Sequence, residues 1–118
     1  MKIAIASNEN MCCEHFGHCE GFKVYEIEND NVKSEIFFKN PGHKPGFLPV
    51  FLKEKGANVV IAGGMGEMAQ QIFKENNIEV IVGVSGNLEE VVKAYITNNL
   101  KSTGSICDKH EHEGHCED

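Results

Sequence analysis

Asn58-Val59-Val60-Ile61-Ala62-Gly63-Gly64-Met65-Gly66-Glu67, running on through Asn76 to Ile78-Glu79-Val80-Ile81-Val82, decides the fold class. Asn58–Ala62 is a short apolar run without alternation, which suits a central strand buried on both faces. Gly63-Gly64-Met65-Gly66 is a tight turn. Glu67–Asn76 places Met68, Ile72 and Phe73 at helical spacing and predicts a helix with those three inward. Ile78–Val82 is the next strand. Strand, helix, strand in this order predicts two strands of one sheet joined through a helix.

Downstream, Asn87 predicts a helix cap, with Glu90 three residues on as its capping-box partner. Leu88, Val91, Val92, Tyr95 and Ile96 form the apolar stripe of that helix. Upstream, Phe47–Lys55 reads as a helix with Leu48, Phe51 and Leu52 on one face, Pro49 in the first turn and Gly56 at its end. Asn40 to Gly46 is a loop by its Pro and Gly density. Ile3–Ala6 repeats the apolar-run signature. Phe22–Glu28 and Val32–Lys39 are two strands joined by Glu28-Asn29-Asp30-Asn31. In the second, Val32, Ser34, Ile36 and Phe38 fall on one face and Lys33, Glu35 and Lys39 on the other. The order is β-β-β-α-β-α-β-α, an α/β fold with a mixed five-stranded sheet and flanking helices. Residues 1–100 are expected to form one domain. Residues 101–118 read as a mobile, acidic, Cys/His-rich tail.

The 118 residues are 41 % hydrophobic and 25 % charged, as in an ordinary globular domain. The start of the chain turns polar at Ser7, too early for a secretory apolar region. No apolar stretch approaches the roughly 20 residues that span a bilayer. A cytoplasmic protein without a membrane partner is expected. The net charge is −7, all eleven basic residues are lysines, and Cys107 to Asp118 carries five acids and one lysine. A nucleic-acid binder needs a basic face and favours arginine, so nucleic acid is not an expected partner. Five cysteines without a secretory signal argue against a disulfide framework and leave thiols as soft metal ligands.

Chemistry concentrates in Cys12-Cys13-Glu14-His15-Phe16-Gly17-His18-Cys19, on the loop after the first strand. Cys12, Cys13, His15, His18 and Cys19 are candidate ligands. Thiolate and imidazole together suit zinc, copper or iron–sulfur iron, not magnesium or calcium. The plainer alternative is that one or two of them are core groups. A second cluster, Cys107, His110, His112, His115 and Cys116, reads as a metal-capture tail, or else as a solvating terminus. A third feature is Gly63, Gly64 and Gly66, whose backbone N–H groups precede a helix and suit an anion; a purely steric turn is the other reading. Catalytic readings find little support: paired carboxylates at strand ends are missing, and nothing selects an electrophile for Cys–His catalysis.

Met1-Lys2-Ile3-Ala4-Ile5-Ala6, His15-Phe16-Gly17-His18-Cys19 and Phe22-Lys23-Val24-Tyr25-Glu26 resemble the opening of the dinitrogenase iron–molybdenum cofactor biosynthesis family. Asn40-Pro41-Gly42, Gly56 to Gly66 and Asn77-Ile78-Glu79-Val80 continue the likeness over roughly residues 1–100. The resemblance implies a ribonuclease-H-like fold without nuclease activity, and a carrier of iron–sulfur or molybdenum-containing clusters that works with cluster assembly or acceptor proteins. It also implies that His15 is the cofactor-binding histidine. Many single-domain members carry a basic residue where this chain has His18, and the Cys12-Cys13 doublet is not general. The expected function is therefore a non-enzymatic carrier of an iron–sulfur or iron–molybdenum-type cluster. The alternatives are a zinc- or nickel-binding protein and a thiol redox enzyme using Cys12 or Cys13.

Overall fold

The structure, a computed structural model, describes residues 1–42 and 47–97. In chain order it contains β1 (Lys2–Asn8), β2 (Met11–Cys12), β3 (Gly21–Glu28), β4 (Asn31–Lys39), α1 (Phe47–Glu54), β5 (Val59–Ile61), α2 (Glu67–Glu75), β6 (Glu79–Ile81) and α3 (Leu88–Ile96). The sheet runs β4-β3-β1-β5-β6, with β2 attached to the end of β1. β1 pairs antiparallel with β3 and parallel with β5; β5 pairs parallel with β6. The sheet is mixed, as expected, but has six strands rather than five. The extra one, β2, lies inside the Cys/His-rich segment taken from sequence as a plain loop.

The apolar runs sit at the centre because both faces of the sheet are covered. Ile3, Ala4, Ile5 and Ala6 are all fully buried. Ala4, Ala6, Phe22, Val24, Val60 and Ala62 face a core completed by Leu48 and Leu52 of α1 and Phe73 of α2. Ile3, Ile5, Tyr25, Val59, Ile61 and Ile81 face the other, completed by Leu88, Val91 and Val92 of α3. α3 starts where the sequence placed it: the Asn87 side chain accepts a bond from the Glu89 N–H at 2.8 Å. α1 ends at Gly56, whose φ of +87° only glycine adopts freely. Among the described residues no helix is long and apolar enough to cross a membrane.

Two local expectations need correction. Met68 is 63 % exposed, while Met65 in the preceding turn is buried at 1 %. Gly66 is the N-cap of α2, so Met68 falls in the first turn on the solvent side. In β4 the strict alternation breaks. The register with β3 shifts between Glu26 and Ile27, a bulge that pairs Val32 with Ile27 while Ser34, Ile36 and Phe38 pair with Glu26, Val24 and Phe22. Val32 therefore lies on the α3 side, away from Ser34, Ile36 and Phe38. All of β4 is exposed except Phe38, because it forms one margin of the sheet.

Candidate functional site

β1 delivers the chain to its carboxyl end at Asn8, and the segment to Gly21 folds over that end. Glu9 takes a left-handed conformation (φ 57°), which turns the chain back so that β2 pairs with β1, Cys12 opposite Ser7. The segment is then stitched down on several sides. Cys12 N–H donates to the Gly86 carbonyl at 2.8 Å and Cys13 N–H to that of Ala6 at 2.7 Å. Phe16 N–H donates to Gly64 O at 3.0 Å and Glu20 N–H to Ser7 O at 3.1 Å. The Phe16–His18 turn is anchored by the buried Phe16 ring, which packs against Phe22 (5.4 Å between centroids) and edge-on to Phe73 (5.6 Å).

The glycine turn is the floor of this arrangement. Gly63 N–H donates to Cys13 O at 2.8 Å, and Gly63 O accepts from Gly83 N–H at 2.7 Å. A Cβ on Gly63 would lie 2.8 Å from the Glu14 Cα and 3.0 Å from the Cys13 carbonyl oxygen. Gly63 thus serves close backbone approach, and its N–H is already engaged. Gly66 is exposed, with open space where a Cβ would be.

The candidate ligands do not share one pocket. Strand alternation sends neighbouring side chains to opposite faces. Cys12 is buried in the core on the α3 side, whereas Cys13 and Cys19 are buried in the core on the α1/α2 side. All three are free thiols, 4–7 % exposed. Burial, with Cys13 nearby as a second cause, pushes Cys12 and Cys19 up to about 12. Both are protonated at neutral pH, and Cys12 has the opposite of a nucleophile's character. The Cys19 thiol donates to Phe16 O at 3.2 Å. Cys13 has a different setting: its sulfur accepts from Asn8 Nδ2 and from the His15 N–H, both at 3.4 Å, and its S–H donates to His15 O at 3.2 Å. Two N–H donors aimed at one sulfur suit an electron-rich ligand atom.

The histidines lie nearer the surface. His18 is exposed; His15 is half-buried, with Nδ1 turned inward. Among the described residues no three His, Cys, Asp or Glu side chains converge closely enough to hold an ion. Cys107, His110, His112, His115 and Cys116 lie outside the described residues.

Two side chains that position the site were missed from sequence. Asn8 braces the start of the loop, bonding the Cys13 sulfur and accepting from Glu20 N–H at 2.8 Å. Asn40 braces its end, donating to Cys19 O at 2.9 Å and to Gly17 O at 3.4 Å while accepting from Gly42 N–H. The available signal was Asn40-Pro41-Gly42, a turn motif whose asparagine has a side chain free to bond elsewhere.

The family model described as dinitrogenase iron-molybdenum cofactor matches residues 1–98. The chain belongs to this family. Among its relatives, an uncharacterized protein of Methanocaldococcus jannaschii, MJ0580, is 30 % identical over 106 residues, 86 % of this chain and 90 % of that protein. The crystal structure of PH0822 superimposes with a TM-score of 0.82 at 33 % identity, covering 88 % of this chain and 96 % of the other. The apo form of the orange protein from Desulfovibrio gigas shares the fold, with a TM-score of 0.74 at 17 % identity over 88 % and 93 % of the two chains.

Proposed function

We propose that this family member carries an iron–sulfur or molybdenum-containing cluster as cargo, held over the Cys12–Cys19 loop, and catalyses no reaction of its own. The reading rests chiefly on one observation. The loop is braced by backbone hydrogen bonds at the carboxyl end of β1, and among the described residues its imidazoles and thiols form no closed ligand set. A structural zinc site closes a tetrahedral set of protein ligands. A cargo that must be released is better served by few ligands on a fixed platform. His15 is the principal ligand, with exposed His18 beside it in sequence as an accessory. Cys13, with two N–H groups on its sulfur, is the thiol suited to join them. Cys12 and Cys19 contribute packing. Gly63 and Gly64 act by fixing the loop; Gly66 leaves open space where an anionic cargo could approach. The sheet order supports reading the fold as ribonuclease-H-like; that the chain acts in the cytoplasm with cluster assembly or acceptor proteins is part of the same proposal.

Zinc or nickel storage is the second reading. It requires ligands from the cluster between Cys107 and Cys116, because the described residues do not complete a site. Anaerobic purification with metal analysis and a visible spectrum separates the two. Iron with acid-labile sulfide and a charge-transfer band supports the carrier, and molybdenum content identifies its cargo. Zinc or nickel without colour supports the alternative. Cluster retention unchanged in the His15→Ala, Cys13→Ser double variant would move the site off this loop.

A further inference from the structure

β4 ends the strand order on one side of the sheet. Among the described residues, β4 pairs on one side only, with β3. Its middle and end expose Ile36 (55 %) and Phe37 (48 %), an unusual pair to leave in water. The bulge lies at the other end, near Val32, so Ser34–Lys39 keeps a regular register.

The direction of the backbone groups follows from one bond. Asn40 N–H donates to Glu20 O at 2.9 Å, continuing the Gly21–Lys39 register by one residue. Bonded and non-bonded pairs alternate along an antiparallel ladder. Phe38, Ile36 and Ser34 therefore turn their N–H and C=O groups toward β3. Lys39, Phe37 and Glu35 turn theirs outward.

We propose that β4 is an interface for a second copy of this chain, in which two β4 strands pair antiparallel about a two-fold axis at Phe37 and join the two sheets into one. Charge and strand regularity favour this register over axes at Ser34, Glu35 and Ile36, with Glu35 already holding Lys23 of its own chain at 2.9 Å and able to accept a second cation. An axis at Glu35 opposes two glutamates, an axis at Ile36 opposes Lys33 with Lys39, and an axis at Ser34 runs into the bulge. An axis at Phe37 sets Glu35 of each copy opposite Lys39 of the other, and both present outward-facing backbone groups. Phe37 meets its own counterpart on the same face. On the opposite face Ile36 meets Phe38, which already packs edge-on to Phe51 at 6.3 Å and so extends the core across the junction. Opposite charges and apolar pairs directly across a ladder are the contacts that stabilise a sheet. A contact of one strand is small, so the dimer is weak and reversible.

Sedimentation equilibrium of the full chain over a wide concentration range tests this. A reversible monomer–dimer equilibrium is expected. Glu35→Lys and Lys39→Glu should each raise the dimer dissociation constant by about 10-fold or more, since each reversal converts two attractive pairs into two repulsive ones. The double variant Glu35→Lys/Lys39→Glu should recover the original value. Phe37→Pro removes an N–H that faces outward, leaves the β3 ladder intact, and should give a monomer that melts cooperatively. A chain that stays monomeric throughout overturns the proposal. So does a dimer that survives either charge reversal or Phe37→Pro unchanged.

Discussion

Replacing Gly63 with alanine adds one methyl group where the structure leaves no room. The new carbon would sit 2.8 Å from the Glu14 Cα, 3.0 Å from the Cys13 carbonyl oxygen and 3.2 Å from the Val84 carbonyl oxygen. All three neighbours are backbone atoms, so no side chain can swing aside. Either β5 or the Cys13–Glu14 segment must move, and both are held. Gly63 N–H is bonded to Cys13 O and Gly63 O to Gly83 N–H. Overpacking of this kind costs about 1–3 kcal/mol. For a domain of this size, about 2 kcal/mol corresponds to a fall in Tm of roughly 10 °C. Gly66→Ala is the internal control, because nothing lies within 4 Å of its Cβ position and its φ of −63° suits any residue. Alanine is a poorer N-cap than glycine by about 0.5–1 kcal/mol, but it lowers the entropy of the unfolded chain by a similar amount, so the net change should be a few tenths of a kcal/mol, roughly 1–3 °C. Calorimetry of both variants reads the difference, and metal retention by each reads whether the loop has moved. Equal melting temperatures would refute the claim that Gly63 is there for close approach.

Phe73→Ala should lose about 3–5 kcal/mol in chemical denaturation, since the ring is fully buried against Phe16, whereas Met68→Ala should stay within about 0.5 kcal/mol. Asn87→Ala should cost about 1 kcal/mol by removing the cap of α3, and an unchanged denaturation midpoint would contradict that bond. In the metal-free native protein Cys12 and Cys19 should resist alkylation near neutral pH. Asn40→Ala should speed labelling of Cys19 but not of Cys12, because Asn40 holds only the Cys19 end of the loop; mass spectrometry of labelled peptides decides this. Burial, then Glu35 and then Glu89, push the Tyr25 phenol from 10.0 up to about 12. The unfolded chain then ionises first, so this contribution is intact below pH 10 and is lost as pH rises toward 12. Tyr25→Phe should flatten the decline of the denaturation midpoint over that window, and an unaltered slope would remove Tyr25 as its source.

The central sheet was legible because burial on both faces leaves an unmistakable mark. Ile3–Ala6 and Val59–Ile61 have no polar side to show, and the helices between strands carry their stripes and caps in plain order. The errors fell where one residue changes the geometry. The β4 alternation looked regular in sequence, but a bulge is a two-against-one pairing with β3, and a strand read alone carries no trace of its partner's register. Met68 was assigned inward from spacing alone. The helix starts at Glu67, as its sequence indicated, but Met68 falls in the first turn on the solvent side, and the inward methionine, Met65, belongs to the turn before it. β2 escaped because a two-residue strand has no periodicity to detect.

The Cys/His cluster was legible as a segment but not as an arrangement. Cys12 and Cys13 read as one thiol doublet because they are adjacent, yet adjacency on an extended chain is what separates them. The same period of two that identifies strands drives one side chain into each core. Cys19 rejoins Cys13 only because the Phe16 anchor and the Asn40 clamp fold the chain back, and both are contacts made across the fold. The glycine turn offers the converse case. Its N–H groups suggested an anion nest, but the Gly63 N–H is bonded to the Cys13 carbonyl, so Gly63 acts on the loop itself. On the proposed reading, a platform whose thiols are mostly stowed in the core and whose imidazoles lie toward the surface holds its cluster with few bonds. For a carrier that is an advantage, because every ligand added to the resting state raises the barrier to handing the cluster on.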